Sequence, residues 1–276
     1  MNFINEKKLQ DVNGAFNALR AKKFRRNLYS VVCLHTQGYM VIGSFFIFPI
    51  IELIFYGTYR FPQPSYVPLD FASLPLIIFL TCYVISCFAT LASGVNVVAT
   101  TLYVNTILEY LSVEFKILGL AFEKVFDEHD NEKAVSEFKK LIDHHQKLLS
   151  TARKIKNLLS FPLFYQMITA GIILSTSAYE IYSVDNLMSI KFVARLNYAL
   201  YVIIDLLIAS SASENILLES KNIKDKIFNS GWLNIVQEKK NRLLFQLSVQ
   251  LSYQPIVITA MGFFKPSYST LLDVMK

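Results

Sequence analysis

From Phe71 to Leu108 the chain carries no charged residue. A membrane-spanning helix needs about 20 predominantly apolar residues. This run exceeds one crossing, and predicts a span from about Leu74 to Val98 that continues as helix beyond the bilayer. The rest of the sequence repeats the theme. Hydrophobic residues make up 53% and charged residues only 17%, and the mean hydropathy is +0.39, well above the usual values for a water-soluble domain. The expected class is all-α, a polytopic bundle of membrane helices with cytoplasmic anchor helices.

The polar segments fix a topology. Residues 1–28 carry Lys7, Lys8, Arg20, Lys22, Lys23, Arg25 and Arg26, which places them in the cytoplasm under the positive-inside rule. Residues 29–57 form the first span, with Pro49 inside it and Glu52 near its outer end. An outer loop follows over 58–73, stiffened by Pro62, Pro64 and Pro68. The second span covers 74–98. Residues 99–156 are charged but periodic: Ile107, Leu111, Phe115, Leu118, Phe122 and Val125 form one apolar series. Phe138, Leu141, Ile142, His145, Leu148, Leu149 and Ala152 form another beyond the polar break Asp127 to Asn131. Both predict amphipathic cytoplasmic helices whose apolar faces need partners. A third span occupies 157–180, an outer loop 181–195, and a fourth, weaker span 196–213. The weakness is Asp205, because a carboxylate at membrane depth is expensive and usually faces the bundle interior or water. Residues 214–260 return to a basic, cytoplasmic character.

The net charge of +6 suggests nucleic acid in a soluble protein. Here the bases lie in loops between apolar runs, so topology accounts for them and no nucleic-acid partner is expected. Cys33, Cys82 and Cys87 show no zinc or redox spacing and read as inert thiols. His144 and His145 beside Asp143 suggest a metal cluster, but adjacent helical residues point about 100° apart, so both histidines are expected to be solvated. There is no phosphate-cradling glycine loop, nucleophile elbow or HExxH pattern, and the chain has nine glycines. No enzyme activity and no cofactor are expected.

The C-terminal segment is the most distinctive. A charge-free run from Leu243 to Phe264 is interrupted by Pro255 and Gly262, and after Pro266 a new apolar face begins with Tyr268, Leu271, Leu272 and Met275. Three stretches, in this order on this topology, resemble one family: Arg60-Phe-Pro-Gln-Pro-Ser-Tyr-Val-Pro-Leu-Asp70; His145-Gln-Lys-Leu-Leu running to Phe161-Pro-Leu-Phe-Tyr-Gln166; and Gly262-Phe-Phe-Lys-Pro-Ser-Tyr-Ser-Thr-Leu-Leu-Asp-Val-Met-Lys276. The sequence resembles the insect odorant receptors over essentially its whole length.

The resemblance implies a seven-helix receptor with a topology opposite to that of G-protein-coupled receptors. Its four spans would match family helices three to six. Leu243 to Ala260 would match the cytoplasmic part of the seventh helix, and 264–276 a truncated beginning of its pore-lining part. The chain then reads as part of a longer receptor. The implied function is the binding of small apolar odorants, with gating of a non-selective cation channel as one subunit of a heterotetramer with a co-receptor. The implied place is the plasma membrane of olfactory sensory neurons.

Odorants are small and mostly apolar, so their pocket should be aromatic and aliphatic with few polar anchors. Tyr198 and Tyr201 lie one turn apart on the fourth span and share a face, where the family places pocket walls. Ser44 and Phe46 on the first span, with Ile77 and Thr81 on the second, are the facing candidates. Leu271, Val274 and Met275 fall at the start of the pore helix, where an apolar constriction blocks ions by dewetting. Two other classes remain open. The gustatory receptors share the architecture and differ chiefly at the C-terminus, and secondary transporters show internal repeats, which are not evident here.

Overall fold

The computed structural model describes residues 36–44, 46–47, 49–55, 57, 76–126, 131–182, 190–232 and 255–267, together with 18, 21, 25, 29, 32, 242, 245, 246 and 248–250. The outer loop at 58–73 and the pore-helix residues Leu271, Val274 and Met275 lie outside the described residues. Among the described residues four helices are long and apolar enough to cross a membrane: α1 (Thr36–Phe55), α2 (Leu76–Lys124), α3 (Asn131–Tyr182) and α4 (Ile190–Phe228). α2 continues past residue 98 as one helix, and the helix expected before 157 and the span expected over 157–180 are fused in α3. α2 runs 49 residues without interruption, and α3 runs 52 and continues through Pro162. The polar break is real: α2 ends at Lys124 and α3 begins at Asn131, with Glu132 in its first turn favoured by the helix dipole.

The chain divides into two compact units. Unit 1 comprises Met1–Leu28, Val104–Met167 and Leu207–Lys276, and unit 2 comprises Tyr29–Tyr103 and Ile168–Leu206.

Unit 1 has one large apolar core. Both amphipathic series turn inward, with Phe115, Phe122, Ala152 and their neighbours buried against Ile216, Ile223 and Ile227 of α4 and against Phe245, Ile256 and Ile258. α2 and α4 run parallel here, and Glu109, Lys116 and Glu123 recur at heptad spacing along α2. They meet Asn215 (3.0 Å), Glu219 (3.7 Å) and Lys226 (2.8 Å) in the same order along α4. This is the arrangement of a coiled-coil seam flanked by polar pairs. Gly119 lets the pair close: a Cβ there would lie 2.7 Å from Cδ of Lys226.

His145 departs from its expected solvation. It is only 2% exposed and meets the edge of Phe122 with ring centroids 6.2 Å apart, whereas His144 is exposed. Burial among apolar side chains, assisted by His144, pushes its pKa down to about 4.

The C-terminal run also departs from a continuous helix. Backbone is helical where described over 242–250, but from Pro255 it is no longer helical. Proline lacks the N–H that a helix needs and drives its predecessor toward extended geometry. The next amide, Ile256 N–H, donates to Ser220 Oγ at 3.1 Å. Gly262 is expected to end a helix. It instead closes a tight turn with Met261, both at positive φ (79° and 51°), as a type I′ turn requires. Ala260 N–H donates to Phe264 C=O at 2.8 Å, and Phe263 N–H to Ala260 C=O at 3.1 Å. Positive φ is costly for methionine, and Ser160 holds the turn by accepting from Met261 N–H at 2.8 Å.

Unit 2 packs by a different rule. α1 and α2 are antiparallel, and each offers a glycine to a branched side chain of the other. A Cβ at Gly38 would lie 3.1 Å from Val98 Cγ2, and one at Gly94 would lie 2.6 Å from Ile42 Cδ1. Small residues that admit close backbone approach are the usual interface of membrane helices. The outward faces carry Ile77, Ile85, Phe88, Val95 and Val97, all exposed.

Candidate functional site

The candidate residues of unit 2 are set by helix register. On α1, Gly38, Val41 and Ile42 point inward and are buried, while Thr36, Tyr39, Met40, Gly43, Ser44 and Ile47 line an open groove on the opposite side. Ser44 therefore belongs to this groove, and its hydroxyl donates to its own helix at Val41 C=O, 2.6 Å.

Tyr201 lies on the inward side. It is 8% exposed, and its ring edge comes within 3.5 Å of where a Gly38 Cβ would stand, beside Val98. A Cβ at position 38 would crowd Val98 Cγ2 at 3.1 Å and touch the Tyr201 ring at ordinary contact distance. One turn earlier, the amides of Gln37 and Asn197 hydrogen-bond to each other. Tyr198 is half-buried on the same face of α4, and Asp205, one turn beyond Tyr201, is buried. Asp205 is engaged within the chain, while its Oδ1 accepts no hydrogen bond among the described residues.

Phe46 is half-buried, and its carbonyl accepts from the Tyr83 hydroxyl at 2.7 Å, tying α1 to α2. Tyr83 in turn lies 6.0 Å from Phe79 between ring centroids. Ile77 and Thr81 stand apart from the Tyr201 cluster. Seventeen residues (98 − 81) separate Thr81 from Val98, about 25 Å of helix. Ile77 is 72% exposed, and the exposed Thr81 hydroxyl donates to Ile77 C=O at 2.8 Å. The sequence candidates thus fall at two levels, with Tyr198 and Tyr201 at one and Ile77, Thr81 and Phe46 toward the other.

Sequence reasoning missed Gly38, Gly94, Gln37 and Tyr83. The glycines had a signal: Gly38 with Ile42, and Gly94 with Val98, each pair a small and a branched residue one turn apart on adjacent apolar runs. Among the described residues, no group of three or more His, Cys, Asp or Glu is placed to hold a metal ion.

The fold is similar to that of the insect olfactory receptor OR5 from Machilis hrabei. Its structure in complex with eugenol aligns with a TM-score of 0.79 at 14% identity, covering 95% of this chain and 66% of that one. A second structure of that receptor aligns with a TM-score of 0.81 at 13% identity, covering 99% of this chain and 72% of that one. This chain therefore spans just under two thirds of the receptor's length in the first alignment. At such identities the likeness concerns the fold, which here is that of a multi-pass helical membrane protein. The family profile described as 7tm Odorant receptor matches residues 6–276, nearly the whole sequence, and the chain belongs to that family.

Proposed function

We propose that this chain is the core of an odorant receptor subunit that binds small volatile molecules within its membrane helices. It gates a cation channel when assembled with a co-receptor into a heterotetramer. The observation that carries the reading is the buried Tyr201 of α4 seated on Gly38 of α1, with Tyr198 on the same face, in a chain matched to the odorant receptor family over residues 6–276. Aromatic walls with few polar groups suit small apolar ligands. That the OR5 relative was solved with eugenol, a small aromatic volatile, supports the same ligand class here. In this reading Tyr198 and Tyr201 form the inner wall of the pocket. Phe46 borders it, Ser44 lines the open groove on the opposite side of α1, and Ile77 and Thr81 lie toward its outer approach. Leu271, Val274 and Met275 form the apolar gate of the pore helix, and the bilayer of an olfactory neuron's plasma membrane is the solvent, with the N-terminus cytoplasmic.

The test is current recorded from cells expressing the full receptor that contains these residues, with its co-receptor, across a panel of volatiles. Tyr198→Ala is expected to shift the dose–response curves at unchanged surface density. Volatile-evoked current absent in the wild type, with both subunits at the surface, overturns the proposal.

A further inference from the structure

Along α3 the charges stop abruptly. Lys147, Arg153, Lys154 and Lys156 follow one another with no acid between Asp143 and Glu180, and from Leu158 to Tyr179 the helix carries no charge at all. At about 1.5 Å per residue that uncharged stretch is roughly 33 Å long, one crossing of a bilayer's hydrocarbon. Its first turns therefore lie where headgroups meet acyl chains. Lys154, Leu158, Phe161 and Tyr165 are spaced to share one face of the helix, and all four are exposed. Beside them sits the turn at Met261-Gly262. Ser160 accepts from Met261 N–H at 2.8 Å, and the Phe164 ring lies 5.9 Å from that of Phe263 and 6.3 Å from that of Phe264 between centroids. The turn still leaves Phe263 76% exposed, and Lys265 is exposed as well. All of these residues belong to unit 1. Lys147 is paired with Asp143 at 2.7 Å and Arg153 is engaged within the chain. Lys154, Lys156 and Lys265 have no ion pair among the described residues.

We propose that this rim of unit 1 binds an anionic phospholipid. Lys154 and Lys265 hold the charged headgroup, and the face of Leu158, Phe161 and Tyr165, together with Phe263, takes an acyl chain. An apolar face alone would accept a second copy of the chain, and a lysine alone would accept any anion. Here uncompensated positive charge and exposed aromatic rings meet at one depth, and a negative headgroup joined to hydrocarbon satisfies both. Lysine suits the place because its stem lies along apolar neighbours while its ammonium stays in the headgroup layer. The choice of the cytoplasmic leaflet rests on the topology proposed above, whereas the class of lipid rests on these residues.

The experiment is native mass spectrometry of the full receptor that contains these residues, released from neutral detergent, with dioleoylphosphatidylserine and dioleoylphosphatidylcholine added in turn. Wild type is expected to prefer the serine lipid. Lys154→Gln and Lys265→Gln should each weaken phosphatidylserine binding about 5-fold and leave phosphatidylcholine unchanged, while Phe263→Ser should weaken both lipids alike. These side chains are exposed, so an unchanged melting temperature serves as the folding control. Equal affinity for the two lipids in wild type, or a preference that survives in the variant carrying both lysine substitutions, would overturn the proposal. Displacement of the lipid by glycerophosphoserine at equal concentration would assign the lysines to a soluble anion and overturn it too. So would separation of subunits by Phe263→Ser with lipid binding at the wild-type level, which would give the patch to another copy of the chain.

Discussion

The α1–α2 contact makes a quantitative prediction through Gly94. A Cβ added there would lie 2.6 Å from Ile42 Cδ1 and 3.0 Å from Ile42 Cγ1, closer than carbon atoms tolerate, so the helices must part or Ile42 must change rotamer. Overpacking of this kind costs about 1–3 kcal/mol, while replacing a helical glycine by alanine returns about 1 kcal/mol of propensity. Gly94→Ala should therefore destabilise by about 1 kcal/mol net. In an Ile42→Val background the closest atom is gone. Ile42→Val itself should cost little, because lipid is as apolar as the interface and the transfer term nearly vanishes. Gly94→Ala should then cost less, since only the 3.0 Å approach to a Cγ remains for a small shift to relieve, and the cycle should show a coupling of about 1 kcal/mol. Thermal unfolding of purified protein in detergent, for wild type, both single variants and the double variant, measures it. Equal destabilisation by Gly94→Ala in both backgrounds would refute the claim that Ile42 is what Gly94 makes room for.

Three further outcomes are expected. His145 has a folded-state pKa of about 4, below its ordinary 6.5, so the unfolded chain takes up the proton first as pH falls. Stability is whole above about 6.5 and falls by up to about 3 kcal/mol between there and about 4, and His145→Leu should flatten that limb in melts taken across this range. Phe88 is 69% exposed in unit 2 and Phe228 is 60% exposed in unit 1. Phe88→Lys should cost about 2.5–3.5 kcal/mol of membrane insertion and Phe228→Lys less than about 0.5 kcal/mol; similar surface expression of the two variants would contradict the assignment of their solvents. Asp205→Asn keeps shape but removes a buried charge, and is expected to alter assembly or gating; wild-type currents at wild-type surface density would mean that the charge is merely tolerated.

The sequence was most legible where one periodicity met one solvent. The series from Leu111 to Val125 and from Phe138 to Ala152 supply much of what α2 and α3 bury in the unit 1 core, with Leu141 and Ile142 partly buried against it, because in water an apolar stripe has to be buried. His145 lies in that stripe between Ile142 and Leu148, so the 100° that parts it from His144 turns one histidine inward and the other to solvent. In unit 2 the same logic fails. Ile77 and Thr81 were plausible pocket walls because nearly every residue around them is apolar, and hydropathy does not separate a lipid-facing from a helix-facing side. Glycine placement does, and Gly38 and Gly94 mark the buried side that apolarity left unmarked. The turn at Met261-Gly262 was hidden for another reason. Pro255 and Gly262 both announce a break, but whether a break yields a kink or a reversal depends on distant groups such as Ser160 and Ser220 that accept the freed N–H bonds.

The two units carry the signatures of two solvents in one chain. In unit 1 Phe115, Phe122, Leu163 and Ile216 are buried, and Lys139, Lys140, Asp143 and Lys147 face outward, which is what water selects. In unit 2 the exposed side chains include Ile85, Phe88 and Val97, while Thr90, Ser177 and Asp205 are inside, the inverse order. Threonine and serine survive in that interior by donating back to their own helix, as Thr90 does to Ser86 C=O at 2.8 Å. An apolar stripe has no reason to turn inward where the surroundings are hydrocarbon, so close packing and hydrogen bonds must hold unit 2 together. A polar atom buried there without a hydrogen bond is correspondingly conspicuous, as Tyr201 Oη and Asp205 Oδ1 are.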